Sequence, residues 1–359
     1  MSSPPVVLFG YDSSPFTNKV RLALRVKQIP FSYITVPSML PRPLLTSTFA
    51  LTYRKIPALL IGRSLYCDTS LIIEALEHHF PSTSGYGSVY PPFPALDSWS
   101  YKSLVRGFAS FWTDKPLFRA TTGLIPPSVW ETRFGEDRSQ LIGHQLSAKK
   151  LGDKRPENLA RLDLHLSMLE PTFSEKGKWA IPTATPSLAD ISLYYQLRWG
   201  IDIAAGKGIY NLSGGGAADT FEDMTAQVWS EARYPGLWAW FHAFEAYIDS
   251  LPDLQETDPQ GWIDTIKALP SPSSSQPQTD LLVPTAVEYQ TEVQRDLKPG
   301  VNVSVAPDDT GRDNPQTGTL VAVGVEEVVL RPSGKADVDV LVHFPRLGFV
   351  VRAVEGARL

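Results

Sequence analysis

The chain has 359 residues, with 38 acidic and 33 basic side chains and a formal net charge of −5. This length exceeds one ordinary hydrophobic core, so we expect two or three domains. Because acidic side chains outnumber basic ones, the composition predicts no positive potential that would attract nucleic acid or anionic lipid. No apolar run approaches the ~20 residues of a membrane span. We therefore expect neither nucleic acid nor a membrane among its partners.

The cysteine and histidine content limits the chemistry. Cys67 is the single cysteine, which excludes an intrachain disulfide and a cysteine-rich metal site. It lies in the apolar run SLYC, which predicts a buried, inert thiol. The histidines show no metal-ligand spacing, so we predict no metal. The opening residues MSSPPVVLFG lack the charged and apolar regions of a signal peptide, and we expect a cytoplasmic protein.

Strands and helices alternate tightly over residues 1–81. An apolar strand at Val6–Phe9 precedes a helix over 17–27, and a short strand over 31–35 follows. The runs IPALLIG and SLYC indicate a hairpin-like pair ahead of a helix over 69–79. This alternation is typical of a small α/β domain.

The remainder of the chain divides by composition. The Pro-, Ser- and Gly-rich run PSTSGYGSVYPPFPA predicts a linker at 82–95. Apolar residues recur at helical spacing over 96–268, which predicts an all-α domain. The run ALPSPSSSQPQTD predicts a second linker at 269–281. Short β-branched runs over 282–359 then indicate a small β-barrel of about five or six strands, whose role we cannot assign.

The first candidate site residue is Ser14, between the first strand and the first helix. Pro15 suits the first helical position, which leaves Ser14 near the N-cap, beside backbone amides and the positive end of the helix dipole. An anion such as a thiolate is stabilised at that position. The local sequence by itself favours plain capping. Tyr11 and Ser13 lie close to Ser14 in the sequence, so their hydroxyl groups are alternative candidates for contacting such an anion.

Two further segments offer ligand-binding groups. Ile56-Pro57 stands at the mouth of an apolar strand, and a cis bond there would direct the Ile56 backbone towards a ligand. Asp68 and Thr69 precede a helix and suit an α-amino acid group, although alone they are an N-cap signature. The S-x-x-D run from Ser187, by contrast, predicts only the capping box of a buried helix.

In this order the motifs resemble those of the soluble glutathione S-transferases. The start SSPFTNKVRLAL is similar to the serine-type, zeta- or omega-like members, and KIP and DTSLIIEALE resemble the rest of the thioredoxin-like domain. The segment LDLHLSMLE…KWAIPTATPSLADISLYY resembles the all-α domain. The resemblance covers residues 5 to about 265 and implies a thioredoxin-like domain followed by an all-α domain. The C-terminal β region lies outside it.

The resemblance also implies roles for individual residues. Ser14 would donate a hydrogen bond to the sulfur of glutathione and favour its thiolate. Ile56 would pair with the cysteinyl backbone, with Pro57 as the cis-proline behind it, and Asp68 and Thr69 would hold the γ-glutamyl end. The family more often has Glu or Gln followed by Ser at this turn, so the Asp-Thr pair implies weaker binding.

The second substrate would lie between the two domains, against the first helix of the all-α domain. Most aromatic residues at this helical spacing are expected in the core, but some would form the electrophile pocket. The candidates for this pocket are Tyr11, Tyr101, Phe108, Phe111, Trp112 and Arg119. As the activating hydroxyl, we rank Ser14 ahead of Tyr11 and Ser13.

The implied activity is a glutathione-dependent transfer or cis–trans isomerisation, with glutathione as cosubstrate or cofactor and a small hydrophobic electrophile as partner. A non-catalytic binding or scaffold protein is the alternative. A glutathione-dependent peroxidase or reductase is disfavoured, because that chemistry usually requires a cysteine in place of Ser14. Family members commonly dimerise, so the resemblance implies a homodimer as one arrangement of the chain. The C-terminal region would either block the usual dimer interface or replace it.

Overall fold

The computed structural model describes residues 3–93, 100–174, 179–220, 222–252, 261–272 and 296–354. The strands are β1 (Val6–Gly10), β2 (Ser32–Thr35), β3 (Ala58–Ile61), β4 (Ser64–Cys67), β5 (Asn302–Pro307), β6 (Gln316–Val323), β7 (Glu327–Pro332), β8 (Leu341–Pro345) and β9 (Phe349–Ala353). The α-helices are α1 (Pro15–Lys27), α2 (Pro43–Phe49), α3 (Thr69–His79), α4 (Lys102–Gly107), α5 (Phe118–Thr122), α6 (Pro127–Trp130), α7 (Arg133–Ile142), α8 (Ala148–Asp153), α9 (Arg155–Ser174), α10 (Leu188–Ala204), α11 (Ile209–Leu212), α12 (Pro235–Ser250) and α13 (Trp262–Ala268). A π-helix (Phe108–Leu117) joins α4 to α5.

The N-terminal domain has the predicted thioredoxin-like fold, with the strand order β2-β1-β3-β4. Strand β1 pairs in parallel with β2 and antiparallel with β3, and β4 pairs antiparallel with β3. Successive side chains of β1 point to opposite faces of the sheet. Val6 and Leu8 therefore contribute to the core shared with the helical domain, whereas Val7 and Phe9 contribute to a second core.

The helical domain is confirmed, and its longest helices pack around a core that includes the buried residues Leu166, Leu197 and Phe244. The predicted capping box at the start of α10 is also confirmed. The Asp190 carboxylate accepts from the Ser187 amide at 2.8 Å, and the Ser187 hydroxyl accepts from the Ala189 amide at 3.2 Å. No helix among those described is both long enough and apolar enough to cross a membrane.

The C-terminal strands do not form the predicted separate barrel. They lie in the order β8-β7-β6-β5-β9, and β8 pairs in parallel with β4, which extends the N-terminal sheet to nine strands. The barrel prediction was wrong because short β-branched runs indicate strands but not their partners. The edge of β4 offers unpaired backbone groups that another strand can satisfy. The run LLVPTAVEY, predicted as a further strand, lies outside the described residues.

The two sheet regions also share one hydrophobic core. Val303, Leu330 and Phe344 of the C-terminal strands are fully buried in the cluster that contains Phe9 and Leu65. Helix α13 closes this core from outside, since its Trp262 ring lies 5.3 Å from that of Phe9. The C-terminal sheet is thus continuous with the N-terminal domain in both hydrogen bonding and packing.

Candidate functional site

The three segments that contain the predicted site residues Ser14, Ile56 and Asp68 meet at the same end of the strands. In the strand register Phe9 pairs with Ala58, and Ala58 pairs with Cys67. Adjacent strands lie about 4.8 Å apart. The turn after β1, the residues before β3 and the turn after β4 are therefore neighbours, and they carry the candidate residues for the thiol, the backbone and the amino-acid end of a ligand.

Ser14 is the N-cap residue of α1. Its Oγ accepts a hydrogen bond from the Thr17 amide at 3.2 Å, and Pro15 occupies the first turn. This bond uses a lone pair of the hydroxyl, so the O–H proton can still be donated to an anion. Ser14 is only 2% exposed. Capping and anion activation are therefore compatible roles for one hydroxyl in a fixed and largely desolvated position.

The neighbouring hydroxyl of Ser13 is already engaged by the helical domain. Its Oγ and its backbone amide both donate to Oδ1 of Asn211, at 2.6 Å and 2.9 Å. Nε1 of Trp199 donates to the Ser13 carbonyl at 2.9 Å. The segment around α11 therefore lies over the turn after β1, and the Ser13 hydroxyl is used in holding it there.

Asp68 has an unusual backbone conformation for a residue with a side chain. Its φ of 71° and ψ of 136° lie in a region that residues other than glycine rarely adopt. Such strain costs about 1–3 kcal/mol and is concentrated at functional sites. Oδ1 accepts from the amide and the hydroxyl of Ser70, at 2.9 Å and 2.6 Å. Because both bonds reach Oδ1, Oδ2 is left for a ligand.

Thr69 is joined to a buried polar network that the sequence analysis did not anticipate. Its hydroxyl lies 3.4 Å from Oδ2 of Asp114, which receives a 2.8 Å ion pair from Lys19. The Tyr195 hydroxyl donates to the other carboxylate oxygen. The network links α1, α3, the π-helix and α10. No sequence signal marked it, because Lys19 and Asp114 are separated by almost a hundred residues.

The Ile56–Pro57 bond is cis, as the site interpretation requires. The residues just before it are held by the loop between β5 and β6. Nζ of Lys55 forms a 2.6 Å ion pair with Asp309, and Oγ1 of Thr52 donates to the Pro315 carbonyl at 2.8 Å. The C-terminal sheet therefore borders the candidate site, which the sequence analysis did not predict.

A buried basic cluster lies next to this segment. Arg42 donates to the backbone carbonyls of Pro37, Ser38 and Arg54, while Arg54 and Arg138 share the carboxylate of Asp137. Burial, followed by the nearby Arg138 charge, lowers the pKa of Arg42 to about 10, although Tyr11 and Asp137 oppose this shift. The cluster contains three guanidinium groups and one carboxylate, and its local excess of positive charge favours an anion nearby.

The structure does not bring the six candidate electrophile-pocket residues together. Tyr101, Phe108 and Trp112 belong to the helical core or pack against it, and Tyr11 lies in a separate cluster with Ile125, Trp199 and Leu212. Arg119 is exposed on α5. Phe111 is 50% exposed and lines an open cavity. Helical spacing alone could not separate this residue from its buried neighbours.

Cys67 is fully buried at the end of β4. Burial raises the pKa of its thiol well above the ordinary value, and the nearby Asp68 carboxylate adds to this effect. The thiol is therefore kept protonated at neutral pH and is a poor nucleophile. The prediction that this thiol is buried is confirmed.

The chain is similar to known protein families and to several solved structures. Residues 8–84 match the family model of the glutathione S-transferase N-terminal domain, and residues 120–212 match a domain of unknown function (DUF7962). No curated protein sequence matches the chain. The structures of a Tau class glutathione S-transferase from mango, Mangifera indica, and of the beta-etherase LigF from Sphingobium sp. strain SYK-6 are both 16% identical to it. They cover 73% and 67% of this chain and 97% and 95% of their own, with TM-scores of 0.46 and 0.48.

A GST-like protein from Pseudomonas syringae is similar along the whole chain. Its structure is 25% identical, with a TM-score of 0.59, over 99% of this chain and 100% of its own. The similarity therefore extends over the C-terminal sheet as well as the two preceding domains. With the N-terminal family match, this identifies residues 8–84 as a glutathione S-transferase N-terminal domain, within a chain that has a glutathione S-transferase-like fold and an additional C-terminal β-sheet.

Proposed function

We propose that the chain is a glutathione-dependent transferase or isomerase that activates the glutathione thiol for attack on an electrophilic carbon of a small hydrophobic substrate. The observation that carries the proposal is the convergence of Ser14, the cis Ile56–Pro57 bond and Asp68 at one sheet edge. These groups match the thiol, the cysteinyl backbone and the γ-glutamyl end of glutathione. The net positive charge of the basic cluster favours its glycyl carboxylate nearby.

The proposed chemistry begins with the thiol proton. A free cysteine thiol has a pKa of about 8.5, so most of it is protonated at pH 7. Donation from the Ser14 hydroxyl, together with the N-terminus of α1, stabilises the thiolate and releases the proton to solvent. The thiolate forms a C–S bond as a leaving group departs with its electron pair. Alternatively it adds to a conjugated alkene, allows rotation and is expelled again, which gives isomerisation.

Replacing Ser14 tests the proposal. A hydrogen bond to a charged group contributes about 1.5–3 kcal/mol, or about 1–2 units in the pKa of the bound thiol. Ser14→Ala should therefore bind glutathione with a thiol pKa about 1–2 units above that in the wild type and lose about 10–100-fold in activity at pH 7. The ultraviolet absorbance of the bound thiolate against pH, with calorimetric titration of glutathione, measures both effects.

Ser14→Gly is the matched control, because it separates capping from activation. Alanine at an N-cap costs about 1 kcal/mol of stability, whereas glycine costs only a few tenths. Both variants should lose thiolate stabilisation equally, while only Ser14→Ala unfolds at lower urea concentration. Failure of the wild-type protein to bind glutathione at millimolar concentration would falsify the enzyme proposal.

Asp68→Asn tests the γ-glutamyl end. Asparagine caps a helix as well as aspartate does, so the free energy of unfolding should change by less than about 0.5 kcal/mol. Loss of the charge at Oδ2 should weaken glutathione binding about tenfold, because charge-assisted hydrogen bonds are the stronger ones. N-acetylglutathione lacks the ammonium group, so it should bind both proteins equally. If Asp68→Asn weakened the binding of both ligands equally, Asp68 would not be the residue that binds the ammonium group.

One observation favours a non-catalytic binding protein as the second candidate. Ser14 is almost fully buried, and the segment that carries Asn211 lies over the adjacent Ser13. If this covering is permanent, glutathione cannot reach the hydroxyl. Asn211→Ala removes the contact to Ser13, and equal glutathione affinity in this variant and the wild type would show that the covering does not limit access.

A further inference from the structure

The loop between β5 and β6, residues 308–315, belongs to the C-terminal sheet but contacts both of the other domains. The Gly311 amide donates to the carbonyl of Leu141 in α7 at 2.8 Å. A guanidinium nitrogen of Arg54 donates to Oδ1 of Asn314 at 3.4 Å. Gly311 has a φ of +80°, and a Cβ built on it would lie 3.1 Å from Cδ1 of Leu141. Glycine therefore allows both the conformation of the loop and its close approach to the helical domain.

Asp309 of this loop lies beside the segment that precedes β3. Its carboxylate forms a 2.6 Å ion pair with Nζ of Lys55, and its side chain is 52% exposed, so a ligand can approach it. Burial opposes ionisation of Asp309, but the hydrogen bond and the charge of Lys55 outweigh burial and lower the pKa of its carboxyl below the ordinary value. The Lys115 charge adds to this decrease. Asp309 is therefore ionised at neutral pH.

A buried tyrosine relates Asp309 to the turn that carries Asp68. Burial raises the pKa of Tyr53 well above its ordinary value, and the charges of Asp68 and Asp309 add to this rise. Charges shift a pKa in this way only over short distances. The Tyr53 hydroxyl therefore lies near both carboxylates, which places Asp309 at the same end of the strands as the candidate site.

Lys55 connects this carboxylate to the proposed cosubstrate. It directly precedes Ile56, whose backbone is proposed to pair with the cysteinyl residue of glutathione. The glycyl residue, with its free carboxylate, follows the cysteinyl residue. An ammonium group beside Ile56 would attract that carboxylate, but Asp309 already neutralises the ammonium group. Two carboxylates near one cation repel each other, so the glycyl carboxylate gains little from Lys55.

We propose that Asp309 is a specificity-determining residue, through which the C-terminal sheet controls how the site distinguishes a charged from a neutral end of its thiol cosubstrate. The Asp309 charge offsets the attraction of the nearby cations for a free carboxylate. The site then accepts a glutathione-like thiol with an amidated or esterified glycyl end about as well as glutathione itself. This role rests on the proposed function, because it requires that the thiol bind with its cysteinyl part at Ile56.

The test is calorimetric titration of the full chain with glutathione and with its glycyl monoethyl ester at low ionic strength. The wild type should bind the two thiols within about threefold of each other, because the local charges balance. Asp309→Asn should bind glutathione about fivefold more tightly, since Lys55 becomes available, and should bind the ester within about twofold of the wild type. Salt at about 0.5 M should reduce the gain for glutathione, because it screens exposed charges.

Two further variants control for general charge effects. Asp308→Asn removes the same charge from the adjacent exposed residue and should leave both affinities within about twofold of the wild type. Adding Lys55→Gln to Asp309→Asn should abolish the gain for glutathione. An equal change for both thiols in Asp309→Asn, or a gain that persists in the double variant, would overturn the role of Asp309, while thiolate formation in the wild type would still support the proposed enzyme. Binding of neither thiol would overturn both.

Discussion

A chain that ends at residue 272 should lose its cooperative fold, although it retains everything that the thioredoxin-like and helical domains contribute. The truncation uncovers Tyr53, whose ring packs 5.3 Å from Phe344 and 5.8 Å from Phe349. It also uncovers Leu65 and leaves β4 as an unpaired edge. Exposed apolar surface next to a free strand edge promotes aggregation. We expect an insoluble product, or one that melts without a cooperative transition by circular dichroism.

A point variant measures the same coupling in the full chain. Phe344 is fully buried in the shared core, so Phe344→Ala should lower the free energy of unfolding by about 3–5 kcal/mol. Val354, just after β9, is 42% exposed, so Val354→Ala should change the free energy of unfolding by less than about 0.5 kcal/mol. A soluble, cooperatively melting truncated chain would show that the C-terminal sheet is an independent addition.

The second large effect concerns the ion pair beneath the γ-glutamyl turn. The Lys19 side chain is 1% exposed and its partner Asp114 13% exposed. Asp114→Asn leaves a buried ammonium without its carboxylate, which typically costs about 3–5 kcal/mol. It also weakens the contacts to the Tyr195 and Thr69 hydroxyls. Urea denaturation should therefore show a much lower midpoint.

An exposed pair provides the comparison for this variant. Lys149 and Asp153 lie one turn apart on α8 with a 2.9 Å contact, and both side chains are mostly exposed. Asp153→Asn should change the unfolding free energy by less than about 0.5 kcal/mol, because solvent screens such pairs. The double variant Lys19→Met/Asp114→Asn should recover part of the lost stability, since it removes the unpaired charge. An Asp114→Asn protein as stable as the wild type would contradict this account.

Residues adjacent in the sequence were sufficient to predict the helix starts and the buried strand around the candidate site. Ser14-Pro15 and Asp68-Thr69 are N-cap patterns read from adjacent residues, and the structure places both at helix starts. The buried state of Cys67 followed from its apolar neighbours. These predictions succeed because capping and strand burial depend on residues a few positions apart.

Features that depend on distant contacts were not accessible in this way. The pairing of β4 with β8 and the Lys55–Asp309 ion pair each join segments separated by more than 200 residues. The aromatic residues between positions 101 and 112 share one helical spacing, but only tertiary packing leaves Phe111 half exposed while Tyr101 is buried. A pattern within one helix contains no information about which neighbour covers each face.

The parallel pairing of β4 and β8 has a consequence for synthesis of the protein. Tyr66 pairs with His343, roughly 280 residues later in the chain. At about 5–20 residues per second, a ribosome takes roughly 15–55 s to add that length. During this interval the nascent N-terminal sheet carries an open edge and an uncovered apolar face, so we expect the growing chain to be prone to aggregation until its last strands emerge.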